Sequence, residues 1–343
     1  MRFTQSFLPA AVGVAVVAAL AGCSATSTDH SHHDGRASES SSSSSGLDQV
    51  QTDPSCPAEV TLSSVPERVV TMDAGAAAFL IELGVGDTVV GTAAPDFKTD
   101  FSGDLREKLD ALPVLDDGRG SAESVIAAEP DLVAGISQYE FGAFDGTASV
   151  EQLKSAGSAA LSACGAVQDG PMENIDETYR YITALATAFD IPERGEELIE
   201  RIRDQVEEAA ADTSDVDVPV LTLSSVPDAG AGVKTSGGSS FANGIITLAG
   251  GTNIAQGELQ NFASLSAETV TQANPEVIVI VSGFANESDE QLKAAIIASP
   301  LLAQTDAVKE GNVVVVPQRI LMSPSLLNAD AVQTIADAVK NAA

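Results

Sequence analysis

The chain is 343 residues long and 44% hydrophobic, enough for a substantial core and, at roughly 100–200 residues per domain, for two domains. Aromatics make up 4% and Trp is absent, so the core is built from Ala, Val, Leu and Ile, and a large aromatic ligand cage is excluded. Lys and Arg number 17 against 49 Asp and Glu, a formal charge of −32, which excludes nucleic acid as a partner because phosphate binding needs clustered cations.

Arg2 and the apolar run from Phe7 to Ala21 have the charged and hydrophobic parts of a secretory signal, and the run is too short to span a bilayer. It closes on Leu20-Ala21-Gly22-Cys23, which resembles the bacterial lipoprotein cleavage box. That resemblance makes residues 1–22 a signal peptide and Cys23 the lipidated first residue of the mature chain, where two or more acyl chains give stable anchoring. From Ser24 to Pro54 the sequence is polar, with serines from Ser40 to Ser45 and no apolar periodicity, so residues 23–55 are expected to be a flexible tether.

All three histidines, His30, His32 and His33, fall in that tether. The region from Cys56 onward therefore has no imidazole, which excludes Ser-His-Asp catalysis and His-ligated zinc there. No G-x-S-x-G, P-loop or G-x-G-x-x-G is present: Gly84-Val85-Gly86 has Val89 where the last glycine would fall. Asp116-Asp117-Gly118 reads as a turn rather than an acid dyad. No catalytic residue, metal site or cofactor is expected, and the chain is not expected to be an enzyme. Cys56 and Cys164, the two cysteines left after Cys23, favour a disulfide in an exported chain.

In the folded part, Arg68 to Met72 is predicted as a strand, Ala74 to Leu83 as a helix and Thr88 to Gly91 as a strand. Ala122 to Ala128 and Asp131 to Gly135 follow as helix and strand, then Val150 to Ala156 and Ala159 to Cys164. Two long helices, Asn174 to Phe189 and Glu193 to Ala211, are separated by Pro192. A second series comprises the strand Val218 to Leu223, the helix Phe241 to Leu248, the strand Val277 to Val281, the helix Gln291 to Ile297, the strand Val313 to Val316 and the helix Asp330 to Lys340. Such alternation implies parallel sheets covered on both faces. The expected class is α/β: two parallel-sheet lobes, 56–172 and 214–343, joined by a rigid helical bridge at 173–213.

One phrase occurs twice. Ser121-Ala122-Glu123-Ser124-Val125 leads to Ala128-Glu129-Pro130, and Ser266-Ala267-Glu268-Thr269-Val270 leads to Ala273-Asn274-Pro275. Each copy offers a Ser N-cap, a Glu in the first helical turn and a Pro stop before an apolar strand.

With Pro66-Glu67-Arg68-Val69-Val70, Leu83-Gly84-Val85-Gly86-Asp87, Pro130-Asp131-Leu132-Val133, Ala249-Gly250-Gly251-Thr252-Asn253 and Pro275-Glu276-Val277-Ile278 in this order, the chain resembles the substrate-binding lipoproteins of ATP-driven importers for ferric siderophores, cobalamin and haem. The resemblance covers about Cys56 to Lys340. It implies two lobes joined by a long helix, a ligand cleft between them, and a monomer on the outer face of the membrane. It also implies that Glu123 and Glu268 dock onto arginines of a permease, although a first-turn Glu complements its helix dipole in any case. The cleft is expected where loops leave the carboxyl ends of the strands, and Asp73, Tyr139, Phe141, Lys234, Phe284 and Arg319 are its candidate ligand contacts.

Lys234 stands before Thr235-Ser236-Gly237 where the family often has an aromatic, and Arg319 offers a fork for carboxylate or catecholate oxygens, so an anionic ligand is expected. Burial of Phe141 or Phe284, and pairing of Arg319 with a carboxylate, are the competing readings. A ferric siderophore is the first expectation for the ligand. Cobalamin is disfavoured by the missing Trp and by Lys234; haem, without His, would depend on Tyr139 or Met322. A secreted hydrolase or a structural lipoprotein is the alternative from another class.

Overall fold

The computed structural model describes residues 60, 62–163, 170–213, 216–227, 230, 232–284 and 287–343. The signal, the tether, Cys23 and the expected Cys56–Cys164 disulfide lie outside the described residues.

Just before strand β1 (Val69–Thr71), the backbone N–H groups of Arg68 and Glu67 both donate to the Asp131 carboxylate, at 3.1 and 2.8 Å. The Arg68 guanidinium donates to Ala128 O at 2.6 Å and its Nε to Glu129 O at 3.0 Å. The Pro-Glu-Arg motif thereby fixes the first strand against the helix end beside it. Helix α1 (Ala74–Glu82) follows, then β2 (Val89–Thr92), α2 (Gly103–Asp110), α3 (Ala122–Ala127), β3 (Leu132–Gly135), α4 (Val150–Ser155) and β4 (Ala159–Ser162). The strands form a parallel sheet in the order β2-β1-β3-β4. Residues of β1 and β3 are buried throughout, as a sheet covered on both faces requires.

Two long helices come next, α5 (Asp176–Ala188) and α6 (Pro192–Ala210). Leu198, Ile199, Ile202, Val206 and Ala209 of α6 recur at helical spacing and are buried. Pro192 sits at the first turn of α6, where its missing N–H costs nothing. The largest apolar cluster runs from Val69, Phe79 and Leu132 through Tyr181, Ile182, Leu185 and Ile202 to Val220, Ile245, Val277 and Ile335. The helix pair is thus part of one core shared with both sheets; each fully buried Leu or Ile contributes about 1.5–3 kcal/mol.

Beyond α6 lie β5 (Val218–Leu223), β6 (Val233–Ser236), α7 (Phe241–Leu248), β7 (Gly251–Asn253), β8 (Phe262–Leu265), α8 (Ala267–Ala273) and β9 (Val277–Ser282). The chain ends with α9 (Asp289–Ile297), α10 (Asp306–Glu310), β10 (Val313–Pro317), α11 (Gln318–Leu321) and α12 (Asn328–Ala342). A second parallel sheet has the order β10-β9-β5-β7, while β6 and β8 pair antiparallel as a separate ribbon. Neither strand of this ribbon, Val233–Ser236 or Phe262–Leu265, is among the elements expected from the sequence.

The repeated phrase gives matching units. Ser121 accepts from Ser124 N and Ser266 from Thr269 N; the units end on Glu129 and Asn274 at φ 48° and 44°, each just before its proline. The first copy has further support, since Asp116 accepts from Gly118 N, Gly120 N, Ser121 N and the Ser124 hydroxyl. Burial works against ionisation of Asp116, but these donors, Ser121 N–H first, hold its carboxyl below the usual range.

The connection into the helix pair is tied to the second sheet's surroundings. Met172 N donates to Gly238 O at 2.7 Å, and Asn243 Nδ2 donates to Met172 O at 2.8 Å. A Cβ on Gly244 would lie 2.2 Å from Asn174 O, so only glycine permits this approach. From α5, Thr178 donates its hydroxyl to Asn328 Oδ1 at 2.7 Å, and Asn328 Nδ2 donates to Ile320 O and Ser323 O.

Candidate functional site

At the carboxyl ends of β5 and β9 the second sheet opens into a cavity of about 500 Å³. The ribbon makes one wall. Its register pairs Lys234 with Ser264 and Ser236 with Phe262, placing all four on the cavity lining. Thr222 at the end of β5 pins it: its hydroxyl lies 2.9 Å from that of Thr235 and accepts from Ser236 N at 2.8 Å. Asn253 on β7 donates to Ser236 O and to Asn243 Oδ1. A Cβ on Gly237 would stand 2.2 Å from Gln260 O, and one on Gly238 2.0 Å from Gln256 O, so this glycine pair lets the 256–260 segment close over the ribbon.

Two lining aromatics are unusually open, Phe262 at 62% and Phe284 at 49% exposure, and Met322 joins them. Flat apolar rings beside hydroxyls from Thr222, Ser224 and Ser264 make a surface for a bulky ligand with scattered polar groups. Lys234 and Glu258 supply one charge of each sign.

The six expected ligand contacts part ways. Lys234 and Phe284 come together on the cavity. Tyr139 is 52% exposed on the 3₁₀ turn Gln138–Glu140 that follows β3, on the first sheet's side. Phe141 instead packs with Val70, Met72, Val133 and Leu153, against the bare backbone of Gly135. Arg319 is bound to the Asp100 carboxylate through Nε and through a second bond of 2.7 Å, and lies over the Phe97 ring at 4.7 Å.

Asp73 is fully buried and offers a ligand no surface. It is the N-cap of α1, accepting from Ala76 N at 2.9 Å, and its other oxygen accepts from Ile136 N at 3.3 Å. The signal was present in Asp73-Ala74-Gly75-Ala76, an N-cap residue before an alanine-rich helix. Glu140 is its partner. Burial raises the Asp73 carboxyl, and burial with the neighbouring Asp73 charge pushes Glu140 well above the usual range; the side-chain hydrogen bond between the two acids acts the same way on Glu140 and draws Asp73 back down. Beside them is Tyr181, its phenol pushed well up by burial and its hydroxyl without a partner among the described residues.

Glu123 and Glu268 are exposed in the first turns of α3 and α8. Sequence reasoning overlooked Phe262, Glu258 and Gln260: Phe262-Ala263-Ser264-Leu265 alternates exposed and buried in the structure, but its letters do not alternate apolar and polar, so the sequence carried no periodic signal for that strand. Among the described residues no cluster of His, Cys, Asp and Glu is placed to hold a metal ion, and no helix is long and apolar enough to cross a membrane.

Similarity to known proteins agrees with this geometry. The family profile described as periplasmic binding protein matches residues 69–320. A cobalamin-binding protein of Halobacterium salinarum is 28% identical over 288 residues, covering 82% of this chain and 72% of its own. The ABC transporter substrate-binding lipoprotein YvrC of Bacillus subtilis is 23% identical over 238 residues, covering 68% and 69%. Among solved structures, an ABC-type Fe3+-hydroxamate transport protein of Saccharomonospora viridis superposes with a TM-score of 0.65 at 25% identity, covering 82% of this chain and 96% of its own. The haem-binding protein RhuT of Roseiflexus shares the fold at a TM-score of 0.62 and 23% identity, covering 80% and 98%. With two parallel sheets, a helix pair joined to both, and a cavity at strand ends, the chain belongs to the periplasmic binding protein family, the extracytoplasmic substrate-binding components of ABC importers, and is a binding protein rather than an enzyme.

Proposed function

We propose that the protein captures a ferric siderophore of low net charge outside the membrane and hands it to an ABC permease. The observation that carries the reading is the makeup of the cavity: Phe262, Phe284 and Met322 for apolar contact, a row of hydroxyls, and charges that balance between Lys234 and Glu258. A bulky chelate with polar oxygens on an apolar rim fits such a surface. An anionic triscatecholate does not, because the second expected cation, Arg319, is already paired with Asp100 in a chain of formal charge −32. The similarity to a hydroxamate transport protein supports the same choice. Tyr139 completes the site from the first sheet's side.

The rest of the reading follows the sequence. Residues 1–22 are removed, Cys23 is lipidated, 23–55 tether the folded part, and Cys56 pairs with Cys164. The lobes are 56–172 and 214–343 with 173–213 between them, and the exposed Glu123 and Glu268 meet the permease. A second reading, cobalamin, is favoured by the 28% identical relative.

Native mass spectrometry and absorbance titration of the mature protein against a ferric trihydroxamate, cyanocobalamin, haemin and a ferric triscatecholate test the choice. The expected result is saturable one-to-one binding of the trihydroxamate, weakened about thirtyfold by Phe284→Ala, since aromatic anchors at such sites carry about 2 kcal/mol. Binding of cyanocobalamin alone moves the assignment to the second reading.

A further inference from the structure

The helix Gln318–Leu321 leaves β10, an edge strand of the second sheet, and the 3₁₀ helix Pro95–Asp100 leaves β2, an edge strand of the first. Between these ends Asp100 and Arg319 form a two-point ion pair, far apart in sequence and brought together only by the fold. The pair is sheltered, with side-chain exposures of 11% for Asp100 and 20% for Arg319. The Phe97 ring covers the guanidinium, leaving little of its plane open to solvent. A forked pair of this kind is directional and, once shielded from water, is less weakened by salt than an exposed one. Nearby, Leu326 and Leu327 pack with Phe97 and Leu105 against the cluster of Ala77, Phe101 and Leu109. The pair therefore closes the polar end of an apolar contact between the two sheet regions.

We infer that Asp100 and Arg319 form a clasp between the two sheet regions, and that Asp100 is a specificity-determining residue because it withholds the guanidinium from the ligand. Arg319 stands outside the cavity lining, on a short helix whose C-cap Met322 lines the cavity. A ligand with a forked anionic group that reaches past Met322 therefore has to displace Asp100 to gain the guanidinium, leaving a sheltered carboxylate unpaired, and that penalty disfavours it against a neutral one. Lys234 is exposed on the cavity wall and has no carboxylate partner among the described residues.

The ligand half of this inference rests on the proposed cleft, while the clasp half does not, so two measurements separate them. In the first, nitroxides are attached by cysteine-independent chemistry at the exposed positions Lys108 and Glu290 of the mature ligand-free protein, and their distance distribution is recorded by electron spin resonance. Asp100→Asn and Arg319→Gln are each expected to broaden the distribution, with the double variant no broader than either single one, while Arg319→Lys stays close to wild type. Identical distributions in wild type and Asp100→Asn, with melting curves confirming that both are folded, overturn the clasp. In the second, a ferric triscatecholate is titrated. Asp100→Asn is expected to bind it about tenfold tighter than wild type, the scale of one charge-assisted pair, and Asp100→Asn/Arg319→Gln to lose the gain. Equal affinity in wild type and Asp100→Asn overturns the withholding role. Failure of wild type to bind any neutral chelate counts against the proposed function and leaves the distance result standing.

Discussion

Glu140 sits one residue from the exposed Tyr139, yet its carboxyl is directed inward to Asp73. A Cβ on Gly135 would come within 2.4 Å of Glu140 Oε2, so the bare glycine backbone is what admits the acid. Because the folded protein raises the Glu140 carboxyl well above its ordinary range, the folded state holds a proton that the unfolded state releases earlier. Stability contributed by this proton is complete below the ordinary carboxylate value and is lost as pH rises through the elevated one. Glu140→Gln keeps a donor for Asp73 and removes the ionisation. Thermal melts from pH 4 to 9 are expected to show wild type losing stability on the alkaline side and the variant losing less, with a cost near acid pH of about 1 kcal/mol. Parallel curves would remove the acid pair from the pH response. The pair was hidden in the sequence because Asp73 and Glu140 are ordinary polar letters at strand ends, and only the packing of Tyr181 and Gly135 around them excludes water.

The two helix-to-strand units starting at Ser121 and Ser266 share a local grammar but not their support. Ser266→Ala removes a lone side-chain cap and is expected to cost about 1 kcal/mol in urea unfolding. Asp116→Ala frees the N–H groups of Gly118, Gly120 and Ser121 together and is expected to cost about 2 kcal/mol. Equal losses would mean the turn before α3 re-forms without Asp116. This grammar explains why most elements were legible: Ser caps, a proline after each repeat unit, and helical spacing such as Leu198, Ile202 and Val206 are local signals. The β6–β8 ribbon was not legible, since Val233-Lys234-Thr235-Ser236 is short and mostly polar and its partner lies beyond α7 and β7. The site divided along the same line. Lys234 and Phe284 follow from strand ends, whereas the partner of Arg319 lies 219 residues away and has no local signature.

On the scale of the whole molecule, the repeated unit places one exposed first-turn acid on the helix that leads into an inner strand of each sheet, Glu123 before β3 and Glu268 before β9. If these acids meet permease arginines, Glu123→Ala/Glu268→Ala abolishes uptake in cells while ligand affinity in vitro stays within about twofold, since neither residue lines the cavity. Undiminished uptake would return both to the role of helix-dipole partners, worth about 0.3–1 kcal/mol each. The ties at Met172 bear on how such a molecule moves. The chain grips Gly238 and Asn243 before α5 begins, which ties the start of the helix pair to the surroundings of the far sheet. A change in the angle between the two sheets would have to deform this shared core, in the manner of tweezers bent from one strip of metal rather than of scissors turning on a pin.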